Sequence, residues 1–159
     1  VWAVEVYNYG TEVECGEGYD TAFWNTMLQK GTQTGCFASD DNHNPAKFFD
    51  ALGGWVCVKS EELTHEAIVN HLLAGDYYAS AGPEITAWGV DGDEVYLTCS
   101  PAARINFIVG GLVGGSETIL QHESPLTHGL HTLHGGETWV RAEVIDHQGR
   151  RAWTNPIWL

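Results

Sequence analysis

Asp41 and His43, in the run Ala38-Ser39-Asp40-Asp41-Asn42-His43, are the residues whose types and spacing best suit chemistry. A carboxylate and an imidazole two positions apart on an extended loop can point at one ion, the first offering oxygen and the second nitrogen. They follow a strand-like run, Thr34–Ser39, and in parallel α/β folds functional side chains gather where strands end and loops begin. The same spacing arises in ordinary polar loops, so the pair alone does not define a site.

Other constellations are weaker. His122, His128, His131 and His134 include three histidines at three-residue intervals, H-G-L-H-T-L-H. Gly129 and the flanking Gly135-Gly136 argue against a helix, and on a strand offsets of three alternate faces. The expectation is a loop carrying histidines without a metal. No Gly-x-Ser-x-Gly elbow occurs, so a serine-hydrolase triad has no anchor. The run Gly110-Gly111-Leu112-Val113-Gly114-Gly115 lacks the Lys-Ser/Thr of a phosphate-binding loop and reads as hairpin glycine.

The elements that must position Asp41 and His43 read as follows. Residues 2–8 alternate as a strand, 10–18 read as a glycine-rich loop, and Asp20 is a candidate N-cap for a helix through Lys30. Strands follow at 34–39 and 55–59, then a helix capped by Thr64, with Ile68, Val69, Leu72 and Leu73 on its apolar side, ended by Gly75. A strand at 77–80 completes an α/β pattern, most simply part of a parallel sheet or barrel. After Gly82-Pro83 no helical periodicity remains. Short alternating runs at 85–90, 93–99, 104–109, 117–121, 137–145 and 150–154 suggest a small antiparallel β-sandwich, with Trp139, Trp153 and Trp158 in its core. In 137–145, Thr138, Val140, Ala142 and Val144 face one way, with Trp139, Arg141 and Glu143 opposite. The boundary is placed near Pro83, giving residues 1–83 and 84–159.

Composition narrows the function. Seven Lys and Arg against 21 Asp and Glu give a net charge of −14, and nucleic-acid binding needs a basic footprint that this chain lacks. No apolar run reaches the ~18 residues of a membrane span. No secretory leader is visible, and Cys15, Cys36, Cys57 and Cys99 are too dispersed for a zinc ribbon. Buried reduced thiols in a cytoplasmic protein are expected.

Several segments together resemble the C-terminal half of the polymerase-and-histidinol-phosphatase (PHP) family. They are Val4-Glu5-Val6-Tyr7-Asn8, Trp24-x-x-Met27-Leu28-x-x-Gly31, Ala38-Ser39-Asp40-Asp41-Asn42-His43, Gly53-Gly54-Trp55-Val56, Gly75-Asp76-Tyr77-Tyr78-Ala79-Ser80-Ala81-Gly82-Pro83 and Arg151-Ala152-Trp153-Thr154-Asn155-Pro156. The resemblance spans essentially the whole chain. It implies a distorted α/β barrel that holds two or three divalent metals (Zn, Mn, Fe or Mg) and hydrolyses phosphoesters of small phosphorylated substrates.

Asp41 and His43 would match the family's last metal motif. The His-x-His that opens the family's ligand set is missing, since His43 is the first histidine. The resemblance therefore implies a partial barrel remnant followed by the sandwich: the trailing part of a metal-dependent phosphoesterase, inactive alone and holding at most one loose ion. Two-metal hydrolysis places ions about 3.5–4 Å apart and needs several more ligands than two. Glu5, Asn8 and Asp40 are candidates for the pocket wall or the shell behind the ligands. The alternative is a non-catalytic accessory or binding module acting through its β-sandwich. The strand at 2–8 would lack one barrel neighbour, so a homo-oligomer is expected through that edge, with Trp2, Val4 and Val6 at or near the contact; the competing expectation is that the loop at 10–18 folds over the edge.

Overall fold

The structure, a computed structural model, describes residues 1–44, 46–47, 49–111 and 116–159. These form two compact units, Val1–Ala81 and Gly82–Leu159. Among the described residues there are three helices and twelve strands, and most of the strand pairings are antiparallel.

In the first unit, β1 (Ala3–Asn8) and β2 (Gly35–Ser39) pair in parallel, joined by a crossover through α1 (Tyr9–Cys15) and α2 (Thr21–Gln29). Parallel strands need such a crossover to bring the chain back to the same end. Trp24 and Leu28, one helical turn apart on α2, are both buried, and the Trp24 indole N–H donates to the Thr34 carbonyl at 3.2 Å, tying the helix to the entry of β2. Asp20 sits at the N-cap of α2 without a side-chain capping bond.

β3 (Trp55–Val58) and β4 (Tyr77–Ser80) flank α3 (His65–Ala74). Thr64 caps α3 by accepting from the Ala67 N–H at 3.2 Å, and Gly75 closes it in the left-handed region at φ 84°. The Asp76 carbonyl then accepts from the Lys59 N–H at 2.8 Å, which turns the chain back so that β4 runs antiparallel to β3. The parallel pairing expected across this half is therefore corrected for β3 and β4.

Two further expectations for this unit are corrected. Residues 10–15, expected as loop, belong to helix α1: Asn8 caps it by accepting from the Thr11 N–H at 2.8 Å, and Gly16 ends it at φ 74°. None of the α3 residues is buried, and Val69 and Leu73 on its expected apolar side are exposed. The edge expected to carry an oligomer contact is also less open than expected. Val4 and Val6 are buried, because Gly18–Asp20 folds along the outer edge of β1, with Asn8 N–H to Gly18 O at 2.9 Å and Asp20 N–H to Val6 O at 3.0 Å. Only Trp2 of the expected trio is exposed, packing against Phe37 and Tyr77.

The second unit contains two antiparallel sheets, an arrangement consistent with a β-sandwich. One joins β7 (Arg104–Gly111), β8 (Glu117–Leu120), β10 (Glu137–Ile145), β11 (Arg151–Thr154) and β12 (Ile157–Trp158). The other orders β5 (Ile85–Asp91), β6 (Glu94–Ala102) and β9 (Leu126–Thr132). Ile105, Phe107 and Val109 of β7 pair with Val144, Ala142 and Val140 of β10, and all six are buried. Phe107 reaches the second sheet, stacking on Trp88 and His131 at ring separations of 6.3 and 5.6 Å. Trp139, Arg141 and Glu143 point the other way and are buried too, as is Trp153, while Trp158 is half-buried.

The histidine run is corrected from loop to strand in part: His128 and His131 lie in β9, held by pairing with β6, while His122 and His134 lie outside the strands as expected. His128 faces solvent and His131 faces inward, where its Nδ1 meets Glu117 Oε2 at 3.0 Å. Leu112–Gly115, expected as hairpin glycine, lie outside the described residues.

All four cysteines are free. A thiol count on denatured, unreduced protein is expected to find four groups. In the folded protein Cys15 should react first, because it is exposed, whereas burial pushes the Cys99 thiol up to about 11 and suppresses its thiolate. A count of two would contradict this. None of the described helices is long and apolar enough to cross a membrane.

Candidate functional site

The parallel pair β1–β2 delivers its candidate residues to one end. Glu5 and Asn8 are three apart, and on a regular strand they would face opposite sides. The β1–β2 register shifts between Glu5 and Tyr7, leaving Val6 as an extra residue, and this bulge resets the alternation. Asn8 Nδ2 consequently donates to Glu5 Oε2 at 3.3 Å and also to Asp41 Oδ2 at 3.1 Å. The Ser39 hydroxyl, at the end of β2, donates to Glu5 Oε1 at 2.5 Å. One amide thus stands between two carboxylates, which relieves their repulsion and holds them side by side.

Asp41 lies just past β2 with φ 48°, in the left-handed region that Asp tolerates better than most residues. Its carbonyl faces His43 Nδ1 at 2.6 Å. A carbonyl only accepts, so this bond requires the proton on Nδ1, and neutral His43 then keeps its lone pair on Nε2. The ring is exposed, so that lone pair is open to a ligand.

Two carboxylates brace this end of the sheet. Asp40 accepts from the N–H groups of Leu52, Gly53 and Gly54 at 2.7, 2.8 and 2.9 Å. Asp50, which is buried, accepts from Asn42 Nδ2 at 2.5 Å, the His43 N–H at 2.9 Å and Asn44 Nδ2 at 2.7 Å. Burial would raise the Asp50 carboxyl, but the His43 N–H and the Asn44 amide more than offset it, so its pKa lies below the ordinary value. The clasp is reciprocal: the acid before the loop grips the far side, and the acid after it grips the near side. Asp40, a pocket candidate in the sequence, has its carboxylate committed to this clasp. Asp50 escaped sequence reasoning, the only hint being an acid beside Gly53-Gly54.

Beside Glu5 and Asn8 lies an open cleft of about 530 Å³, also lined by Thr11, Glu17 and Asp20. A second cleft, of about 450 Å³, sits between β3 and α3, where His71 Nδ1 meets Asp76 Oδ2 at 2.8 Å.

Asp41, His43 and Glu5 are donors of the right chemistry for a divalent ion. They do not make a complete metal site. Among the described residues no three His, Cys, Asp or Glu side chains stand close enough together to hold an ion. The Asn8 amide, not a ligand atom, fills the space between the two carboxylates. No family model, curated protein or solved structure matches the chain.

Proposed function

We propose that the chain is the C-terminal part of a PHP-type metal-dependent phosphoesterase, with Asp41 and His43 contributing to a divalent-metal cluster whose remaining ligands come from outside these 159 residues. The observation that supports the reading is that Asn8 joins Glu5 and Asp41 near the carboxyl ends of two parallel strands, with the exposed His43 ring held against the Asp41 carbonyl. The crossover pair β1–α1–α2–β2 is what remains of the barrel in this reading, and the β-rich unit from Gly82 onward is its appended sandwich. The four free thiols fit a reducing, cytoplasmic setting.

In this reading the metal supplies the activation of water, and the residues of this chain hold and orient. Asn8 keeps the Glu5 and Asp41 carboxylates parallel, and the Asp41 carbonyl fixes the tautomer of His43. With so few donors the chain alone has no means to stabilise both oxygens of an in-line displacement. A small phosphorylated substrate would also meet the net charge of −14.

The chain by itself is therefore expected to show no turnover of chromogenic phosphomonoesters or phosphodiesters in excess manganese or zinc. An Asp41→Ala, His43→Ala double variant should match it. Turnover above background that the double variant abolishes would contradict the ligand count. The coding sequence ahead of Val1 tests the assignment itself: a His-x-His roughly 100–250 residues upstream, about one domain away, is expected. An initiation codon directly before Val1 would overturn the reading.

A further inference from the structure

We propose that Asp50 is a positioning residue for His43, acting through the backbone and neighbouring amides of the loop; the proposal rests on reading Asp41 and His43 as the functional pair. Three observations carry it. Asp50 is buried, with 1% of its surface exposed, although an acid following Phe49 in a polar stretch has no need to be. Its two oxygens take donors from three consecutive residues, Asn42, His43 and Asn44, so that the carboxylate holds the loop on both sides of His43. The bond to the His43 N–H fixes the backbone from which the ring folds back to place Nδ1 on the Asp41 carbonyl. Without that anchor Asp41 would have no reason to stay at φ 48°, the Nδ1 contact would loosen, and Nε2 would lose its fixed direction. Asp50 is not one of the residues lining the cleft beside Glu5 and Asn8. Its effect is on the orientation and tautomer of the ring.

The substitution Asp50→Asn keeps the size of the side chain but turns one acceptor into a donor that faces donors. The readout is the pair of ring ¹⁵N resonances of His43. In the wild-type protein the two nitrogens should be widely separated, protonated Nδ1 against unprotonated Nε2, and in Asp50→Asn they should converge as the tautomers exchange. The Trp24 indole N–H, bonded to Thr34, reports whether the first unit is still folded. If Asp50→Asn unfolds the unit, Asn44→Ala removes one donor of the three and is read in the same way. Unchanged His43 resonances in a folded variant would overturn the proposal.

Manganese chloride is titrated in parallel. Broadening of the His43 ring is expected in the wild-type protein, with a roughly 10–100-fold higher concentration needed in the variant, as for other residues that orient ligands from behind. If manganese does not broaden His43 in the wild-type protein, the functional reading fails, while the nitrogen resonances still decide the role of Asp50.

Discussion

Replacing Glu143 by alanine is expected to lower the stability of the Gly82–Leu159 unit by about 3–5 kcal/mol, the usual cost of breaking a buried charge pair from one side. Glu143 is 5% exposed; one carboxylate oxygen accepts from Arg151 Nη1 at 2.9 Å and the other from Trp153 Nε1 at 3.1 Å. Arg141 Nη1 lies 4.0 Å away, on a side chain that is 2% exposed. Alanine would remove the anion beside Arg141 and the Trp153 indole N–H, both of which stay in the interior where desolvation is costly, while the Arg151 side chain, 38% exposed, can turn to solvent. Glu143→Gln should recover part of the loss, because it keeps an acceptor for Trp153. Denaturant unfolding followed by circular dichroism reads the difference. Arg150→Ala, which breaks the half-exposed pair with Asp146, provides the surface comparison, expected at about 1 kcal/mol or less. A Glu143→Ala cost no larger than that would mean the cluster is wetter than its burial indicates.

The second large effect is expected at Gly54. A Cβ there would stand 2.6 Å from the Ser39 carbonyl oxygen and 3.0 Å from its carbon, and these are backbone atoms that no rotamer change can move aside. Gly54→Ala should cost about 1–3 kcal/mol or more through overpacking. It should also push the 52–54 turn off the Asp40 carboxylate, loosening the clasp below Asp41. Gly31→Ala is the informative control. Gly31 has φ 80° and nothing within 4 Å of its Cβ direction, so its replacement carries only the left-handed backbone cost of about 1–2 kcal/mol and leaves the site intact. Thermal unfolding together with the His43 ring resonances distinguishes the two glycines. Equal effects on stability and none on His43 would show that the turn is not pressed against β2 as described.

The elements with strong local signals were readable from the residues. Thr64 and Gly75 bracket α3 at both caps, and the i, i+4 pair Trp24 and Leu28 marks the buried side of α2. What escaped depended on partners distant in sequence. α1 carried a usable start in Asn8 and a usable stop in Gly16, but three glycines in 10–18 outweighed them. Gly10 is needed because a Cβ would press on the Asp40 carbonyl at 2.9 Å, not because the chain turns there. β9 is poor in strand-forming residues, and its extended form comes from pairing with β6, which periodicity cannot register. Val140, Ala142 and Val144 share a buried face of β10 as read, but a register shift between Glu137 and Trp139 leaves Thr138 exposed, and no local signal said that Arg141 and Glu143 would both be buried. At the candidate site the same division holds. Asp41 and His43 stood out by type, whereas Asp50 matters through bonds to residues six to eight positions earlier, a relation that spacing does not encode.

The extra residue at Val6 bears on how this site tolerates insertion and deletion. Removing Val6 would restore an unbroken ladder along β1 and place Glu5 and Asn8 two positions apart, so they would still share a side. Adding a residue beside Val6 without a second bulge would instead put them on a regular spacing of four, again on one side. The shared side therefore survives a one-residue change in either direction, provided the bulge is lost with it, but only the deletion keeps the pair adjacent. Removing Val6 would leave Asn8 opposite Ser39, whereas the insertion would carry Asn8 two residue rises, about 6.6 Å, further from Glu5 and change its meeting with Asp41. A deletion at the bulge thus keeps the two side chains together, while an insertion separates them and detunes their grip on the neighbouring loop.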